Sequence, residues 1–198
     1  AATGGGNPYK VYTPYWKKVK DRPIEPIAEP DFDSLKFPDT YPQTLALDSL
    51  GLLPEKQWYR KFDEYWVVSE AAAQKGLEKF LSQAVEGYNQ ARDIPSEDGT
   101  SSLSPYLHWG LIGPRQVMHA LKAKHDLGKE GPQVYAKEIY WREFAYNVLY
   151  HFPKTPAAPL HEKYADFPWQ PDSNALKRWQ RGQTGCPIVD AGMRQLYA

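Results

Sequence analysis

The chain has one cysteine, Cys186, in 198 residues, which excludes an intramolecular disulfide and fits a reducing compartment. No uninterrupted apolar run approaches the ~18 residues of a membrane helix, and no secretory signal opens the sequence. Net charge is also lacking, because 24 basic residues balance 24 acidic ones. A globally basic body, the simplest mark of a nucleic-acid binder, is thereby excluded, and only local charge can carry such a role. The five histidines and the lone cysteine fall at no metal-ligand spacing, so no metal is expected. No Ser-His-Asp or paired-carboxylate arrangement can be argued either. Cys186, beside Pro187, reads as a small packing residue.

What is abundant is aromatic and proline content. Aromatics make up 14% of the chain, with seven Trp and fourteen Tyr, more than a core of this size needs. Of 18 prolines, eight precede residue 60. Each proline removes an amide donor and blocks the turn before it, so this stretch cannot run as long helices. Residues 1–65 are therefore expected to be an irregular arm that its aromatics anchor elsewhere.

From about residue 66 the period becomes helical. Ser69 can cap a helix, and Leu77, Phe80, Leu81, Ala84, Val85 and Tyr88 follow on one face. Further helices are expected after Ser104–Pro105, after Gly113–Pro114, over roughly 133–151, around 174–181, and from Pro187 to the end. No alternating strand and no repeat is present, so the fold class is all-α. The opening AATGGGNP and a last helix without a stop signal suggest a segment of a longer protein. Charge is uneven: residues 31–98 carry 13 acidic and 7 basic side chains, and residues 99–198 carry 8 and 12.

Two stretches offer chemistry. Thr100, Ser101, Ser102 and Ser104 place hydroxyls and free amides before a helix, which suits either an anion cradle or a plain N-cap. Glu138, Trp141, Arg142 and Ala145 fall at i, i+3, i+4 and i+7 on one side of the long helix. A carboxylate, an indole and a guanidinium there can form a floor that stacks a base, or simply a surface ion pair beside a packed Trp. Trp169, in a proline-bounded loop, reads by itself as a packing anchor.

In register along nearly the whole chain, GNPYKVYTPYWKKV at 6–19, Tyr88, Arg92, TSSLSPYLHWG at 100–110, EIYWREF at 138–144, LYHFP at 149–153, FPWQ at 167–170 and RWQRGQTGCPIVDAGMRQL at 178–196 resemble the photolyase/cryptochrome flavoproteins, nearest to the bacterial class I cyclobutane-dimer photolyases. The resemblance implies a partial FAD-binding helical domain over 66–198, its N-terminal half, behind an interdomain linker over 1–65. An N-terminal antenna domain, with a methenyltetrahydrofolate or deazaflavin pigment, and the rest of the FAD domain would lie outside this chain.

The implied activity is that of a deoxyribodipyrimidine photo-lyase, a carbon–carbon lyase that splits cyclobutane pyrimidine dimers in DNA by light-driven electron transfer from reduced FAD. Tyr88, Thr100, Ser101, Ser102, Leu103 and Ser104 match the family's FAD contacts. Arg92 and the run Glu138, Ile139, Tyr140, Trp141, Arg142, Glu143, Phe144 and Ala145 match positions facing DNA. Within it, Trp141 would stack on the flipped dimer and Glu138 would hydrogen-bond its carbonyl edge. Trp169 matches the surface end of the tryptophan relay that re-reduces the flavin. Tyr140, Ala145 and Cys186 depart from the family's usual residues. A monomer in the bacterial cytoplasm, at the nucleoid through DNA, is expected, and this stretch alone is expected to be inactive. The alternatives are a cryptochrome-type light receptor without repair, and a non-enzymatic helical DNA-binding module using Arg92, Trp141 and Arg142. One cavity, with the 100–104 hydroxyls and the 138–142 strip on opposite walls, is the geometric expectation.

Overall fold

The long apolar-aromatic run folds as the helix α6, Glu130–His151, and the first of two compact units, residues 1–151, is organised on it. A computed structural model describes residues 2–28, 31–40 and 42–197, and no strand is present among them. Earlier in the chain come α1 (Tyr12–Val19), α2 (Glu70–Gln83), α3 (Tyr88–Ala91), α4 (Ser104–Trp109) and α5 (Pro114–Lys124). Helices α1, α3 and α5 pack on α6, as does a 3-10 turn at Val85–Gly87. The core between them buries Leu77, Leu81, Val85, Leu103, Ile112, Val117 and Leu121 almost completely.

Helix α2 opens where the sequence places its cap: the Ser69 hydroxyl accepts from the Ala72 amide at 3.1 Å. The apolar face continues to Val85 and Tyr88, yet the helix does not, for it ends at Gln83 and resumes as α3 after the 3-10 turn. The reason is tertiary. Gly131 of α6 approaches the Val85 and Glu86 carbonyls so closely that a Cβ would collide with both. The turn seats α6 against the chain at that point, and Gly131 is the residue that permits it.

Among the described residues between 20 and 66 the arm is irregular apart from 3-10 turns at Phe32–Ser34, Leu47–Leu50 and Trp58–Glu64. Helix α1 is an addition that proline counting does not reveal. Pro14 sits in its first turn, where a missing amide donor leaves no hydrogen bond unmade. Tyr12, Tyr15 and Val19, at i, i+3 and i+7, form with Phe144 a second small core. The arm's anchor is thus α1, held through tyrosines.

The second unit, residues 152–198, contains α7 (Ser173–Gln180) and α8 (Pro187–Tyr197), packed together. Asp172 caps α7, accepting from the Asn174 and Ala175 amides at 2.8 and 2.9 Å. Pro187 begins α8, as its fixed φ favours. The buried Asp190 carboxylate accepts from the Thr184 amide and hydroxyl at 2.8 and 2.6 Å and from the Gly185 amide at 3.0 Å. It thereby ties α8 to the turn that precedes it.

Candidate functional site

The turn before α4 is held from beneath. Leu103 is buried in the main core, and Gly99 lies so tightly on Ala91 that a side chain there would overlap it. Ser102 takes φ 50°, the one non-glycine residue at positive φ among the described residues. That conformation costs on the order of 1 kcal/mol and is met where the surroundings hold it. The serines do not serve as helix caps, because Leu103 occupies the N-cap of α4 and no side chain bonds there. Their hydroxyls are not spent on the helix end, and that of Ser101 meets the Tyr135 phenol.

Thr100, Ser101 and Ser102 open into a cavity of about 260 Å³, whose other walls include Trp66, Lys79, Phe80 and Tyr106. Lys79 meets Asp98 at 3.1 Å on the same rim. Tyr106 is fixed by a hydrogen bond from its hydroxyl to the Val67 carbonyl at 3.1 Å. Beneath Ser101 lies Tyr135, whose phenol burial pushes up to about 12 against an opposing hydrogen bond with Ser101. Tyr88 and Leu103 do not line this cavity. Both face the core, Tyr88 edge-on to Phe80 and Tyr135.

On α6 the run 138–145 passes right round the helix. Ile139 and Phe144 turn into the core, and Tyr140 is half-buried with its hydroxyl 3.4 Å from the Lys20 carbonyl. Glu143 is exposed and meets Arg142 at 3.5 Å. Glu138 accepts a close hydrogen bond from the Arg92 guanidinium, which also lies over the Tyr88 ring at 5.3 Å. The bond to Glu138 is the chief cause holding Arg92 above its ordinary pKa. Trp141 remains 46% exposed, stacked by one face on Tyr12 at 3.7 Å between ring centroids. Arg142 donates to the Leu107 carbonyl and to the Tyr146 hydroxyl, each at 3.3 Å.

The single cavity expected from the sequence is not what forms among the described residues. The turn divides between two pockets: Thr100, Ser101 and Ser102 line the first, while Ser104 lines a second of about 460 Å³ with Leu107, His108, Arg142, Ala145, Tyr146 and Leu149. Thus α4 contributes to both pockets, Tyr106 to the first and Leu107 and His108 to the second, and of the turn only Ser104 lines the pocket that Arg142 and Ala145 line. Glu138 and Trp141 line neither pocket. In the second unit Trp169 is 80% exposed, with Phe167 at 4.6 Å. Tyr12, Lys79 and Tyr135 are site neighbours that sequence reasoning missed. Tyr12 lay inside a matched motif, which was the one signal available.

Known proteins resemble this chain in sequence and in fold. The family model described as the FAD binding domain of DNA photolyase matches residues 135–198. A deoxyribodipyrimidine photo-lyase of Agrobacterium fabrum is 40% identical over 204 residues, covering 98% of this chain and 41% of the relative. That of a Thermus thermophilus strain is 41% identical over 191 residues, covering 96% and 41%. A crystal structure of a bacterial class III photolyase from Agrobacterium tumefaciens matches with a TM-score of 0.86 at 38% identity, over 100% of this chain and 41% of that one. The chain is similar to the photolyase/cryptochrome family along nearly all of its length. Cryptochrome-2 of Arabidopsis thaliana is also a relative, 30% identical over 206 residues that cover 98% of this chain and 34% of the relative. The chain spans about two fifths of the length of the photolyases it matches. The class I likeness seen in the sequence meets a structural neighbour of class III, so the similarity found is to the family and not to one class.

The residues present fit one end of an FAD. Three hydroxyl-bearing side chains uncommitted to capping, beside a lysine, are the donor chemistry that phosphate oxygens need. At about 260 Å³ the cavity lies below the ~300–1,000 Å³ of whole-ligand sites, which matches a pocket that takes a part of the molecule. No cluster of three metal-ligating side chains occurs among the described residues.

Proposed function

We propose that this chain is the first half of the FAD domain of a deoxyribodipyrimidine photo-lyase, with residues 1–65 as the linker from an antenna domain that carries its own pigment. The whole protein repairs cyclobutane pyrimidine dimers in DNA with light, as a cytoplasmic monomer. The observation that carries the reading is the half-exposed Trp141 on the same side of α6 as Glu138 and Arg142. An indole fixed at a surface, with charged groups beside it, is what a base-extruding enzyme presents to a flipped lesion. The photolyase names of the relatives support the same conclusion.

Thr100, Ser101 and Ser102 hold the cofactor's phosphates by donated hydroxyl hydrogen bonds, and Leu103 roots their turn in the core. Reduced FAD, when bound, would supply the light-driven electron transfer that the splitting of the cyclobutane ring requires. The protein's task is to seat the two reactants and keep water out, not to move protons.

Trp141 offers its free face to the extruded dimer, whose damaged pair stacks poorly and is less costly to extrude. Glu138 reads the Watson–Crick edge. A carboxylate paired with a guanidinium accepts hydrogen bonds and donates none, so it takes the base's imide N–H, while Arg92 supplies the donors for a neighbouring carbonyl or phosphate. Arg142 adds positive charge at the pocket it shares with Ser104 and Ala145. Trp169, exposed beside Phe167, is the surface end of a tryptophan relay that restores reduced flavin.

The test uses the full-length protein and an oligonucleotide with one thymine dimer, lit or kept dark, with intact dimer measured afterwards. Light-dependent loss of the dimer supports repair. Flavin that responds to light without dimer loss makes the protein a receptor of the cryptochrome kind, and DNA binding without flavin makes it a binding module.

A further inference from the structure

Trp141 does not stand alone on α6. Tyr12, from the arm, lies against one face of its indole with the ring planes 11° apart, and Phe144 closes an edge at 5.8 Å and 77°. The Tyr12 hydroxyl donates to the Lys137 carbonyl at 2.8 Å. That carbonyl is the acceptor for the amide four residues on, which is Trp141's own. One side chain therefore touches both the ring and the backbone turn that aims it. Tyr12 is itself fixed, being buried and packed edge-on to Phe144. Burial first, and the nearby Glu138 charge second, keep its phenol protonated and a donor well above neutral pH. No third ring covers the indole's other face among the described residues.

From this we infer that Tyr12 is a positioning residue for lesion recognition, holding Trp141 in one orientation with its free face ready for a base; the inference rests on the lesion-site reading of Trp141. A tryptophan left to sample rotamers must be ordered when the base arrives, and that ordering subtracts from affinity. A tryptophan already stacked has been ordered by folding. The stack also extends the π surface that a base meets, which continues through the indole into the phenol ring. The arm thereby contributes to the site by way of α1, although no residue of it need touch DNA.

The test compares Tyr12→Leu, Tyr12→Phe, Trp141→Ala and the double variant Tyr12→Leu/Trp141→Ala in the full-length protein. It reads affinity for dimer-containing and undamaged oligonucleotides together with bound flavin. Tyr12→Leu is expected to weaken binding of the dimer by roughly three- to tenfold with undamaged DNA and flavin content unchanged. Tyr12→Phe, which keeps the ring, is expected to retain most of the affinity. In the Trp141→Ala background Tyr12→Leu should cost nothing further, because its effect passes through the indole. Unchanged dimer affinity in Tyr12→Leu overturns the inference, as does an equal loss in both backgrounds or a loss of flavin. If Trp141→Ala itself binds the dimer normally, the lesion-site reading is what fails, and the inference falls with it.

Discussion

Arg92 and Glu138 form a hydrogen-bonded ion pair that joins the end of α3 to the middle of α6, each side chain about one third exposed. Both are among the residues expected to face DNA, and the pair fixes the guanidinium and the carboxylate against each other. Arg92 makes a second, longer approach to Asp93 at 3.6 Å, so the guanidinium is oriented from two sides. In the full-length protein Arg92→Ala is expected to cost about 1 kcal/mol, the value of a charged hydrogen bond reduced by solvent screening. Arg92→Lys should recover only part of it, since an ammonium lacks the fork. Urea unfolding of the three proteins measures both.

Gly131 offers a test of the packing account. Helix propensity alone favours alanine over glycine by about 1 kcal/mol. The Val85 and Glu86 carbonyls leave no room for the added Cβ. Gly131→Ala is therefore expected to destabilise by about 1–3 kcal/mol, the usual cost of overpacking. A stabilised variant in denaturant unfolding would mean that the 3-10 turn can give way.

Leu103 links the core to the hydroxyl turn. Leu103→Ala should lose about 2–5 kcal/mol, as buried Leu truncations do, and should also lower flavin content because the turn loses its root. The companion change is Ser102→Gly. It relieves the positive φ, so stability should hold or rise slightly, while flavin retention falls with the hydroxyl. Thermal melts and visible flavin absorbance separate the two effects.

The second unit carries an acid dependence. Three hydrogen bonds from Thr184 and Gly185, the Thr184 hydroxyl first, hold Asp190 below the usual carboxylate range. Its contribution is thus complete above the unfolded value near ~3.9 and disappears as pH falls through the lower folded value. Hydrogen exchange at the Thr184 and Gly185 amides should stay slow as far down as about pH 4 and quicken below it. Asp190→Asn should show faster exchange already at neutral pH, with the acid step abolished.

Much of this architecture was readable in the sequence because it is local. Ser69, Pro187 and the apolar spacing of α2, α5 and α6 act within a turn or two of themselves, and the helices appear where those signals stand. What escaped depends on distant parts of the chain. The end of α2 is set by Gly131, and α1 is held by tyrosines whose partners lie far along the chain, 125 positions apart in the Tyr12–Lys137 bond. Residue spacing places Glu138, Trp141, Arg142 and Ala145 on one side of a helix correctly. It cannot say where that side points relative to a turn three elements earlier, which is why one cavity was expected and two pockets form.

The central claim is a division of labour, with flavin held by the 100–102 hydroxyls and the lesion by Trp141. The direct measurement compares two full-length variants, Thr100→Val/Ser101→Ala/Ser102→Ala and Trp141→Ala, for visible flavin absorbance and for binding of dimer-containing DNA. The account predicts that the first loses flavin, and that the second keeps it but loses preference for the dimer. A triple variant with full flavin, or a Trp141→Ala protein that still prefers damaged DNA, would contradict it.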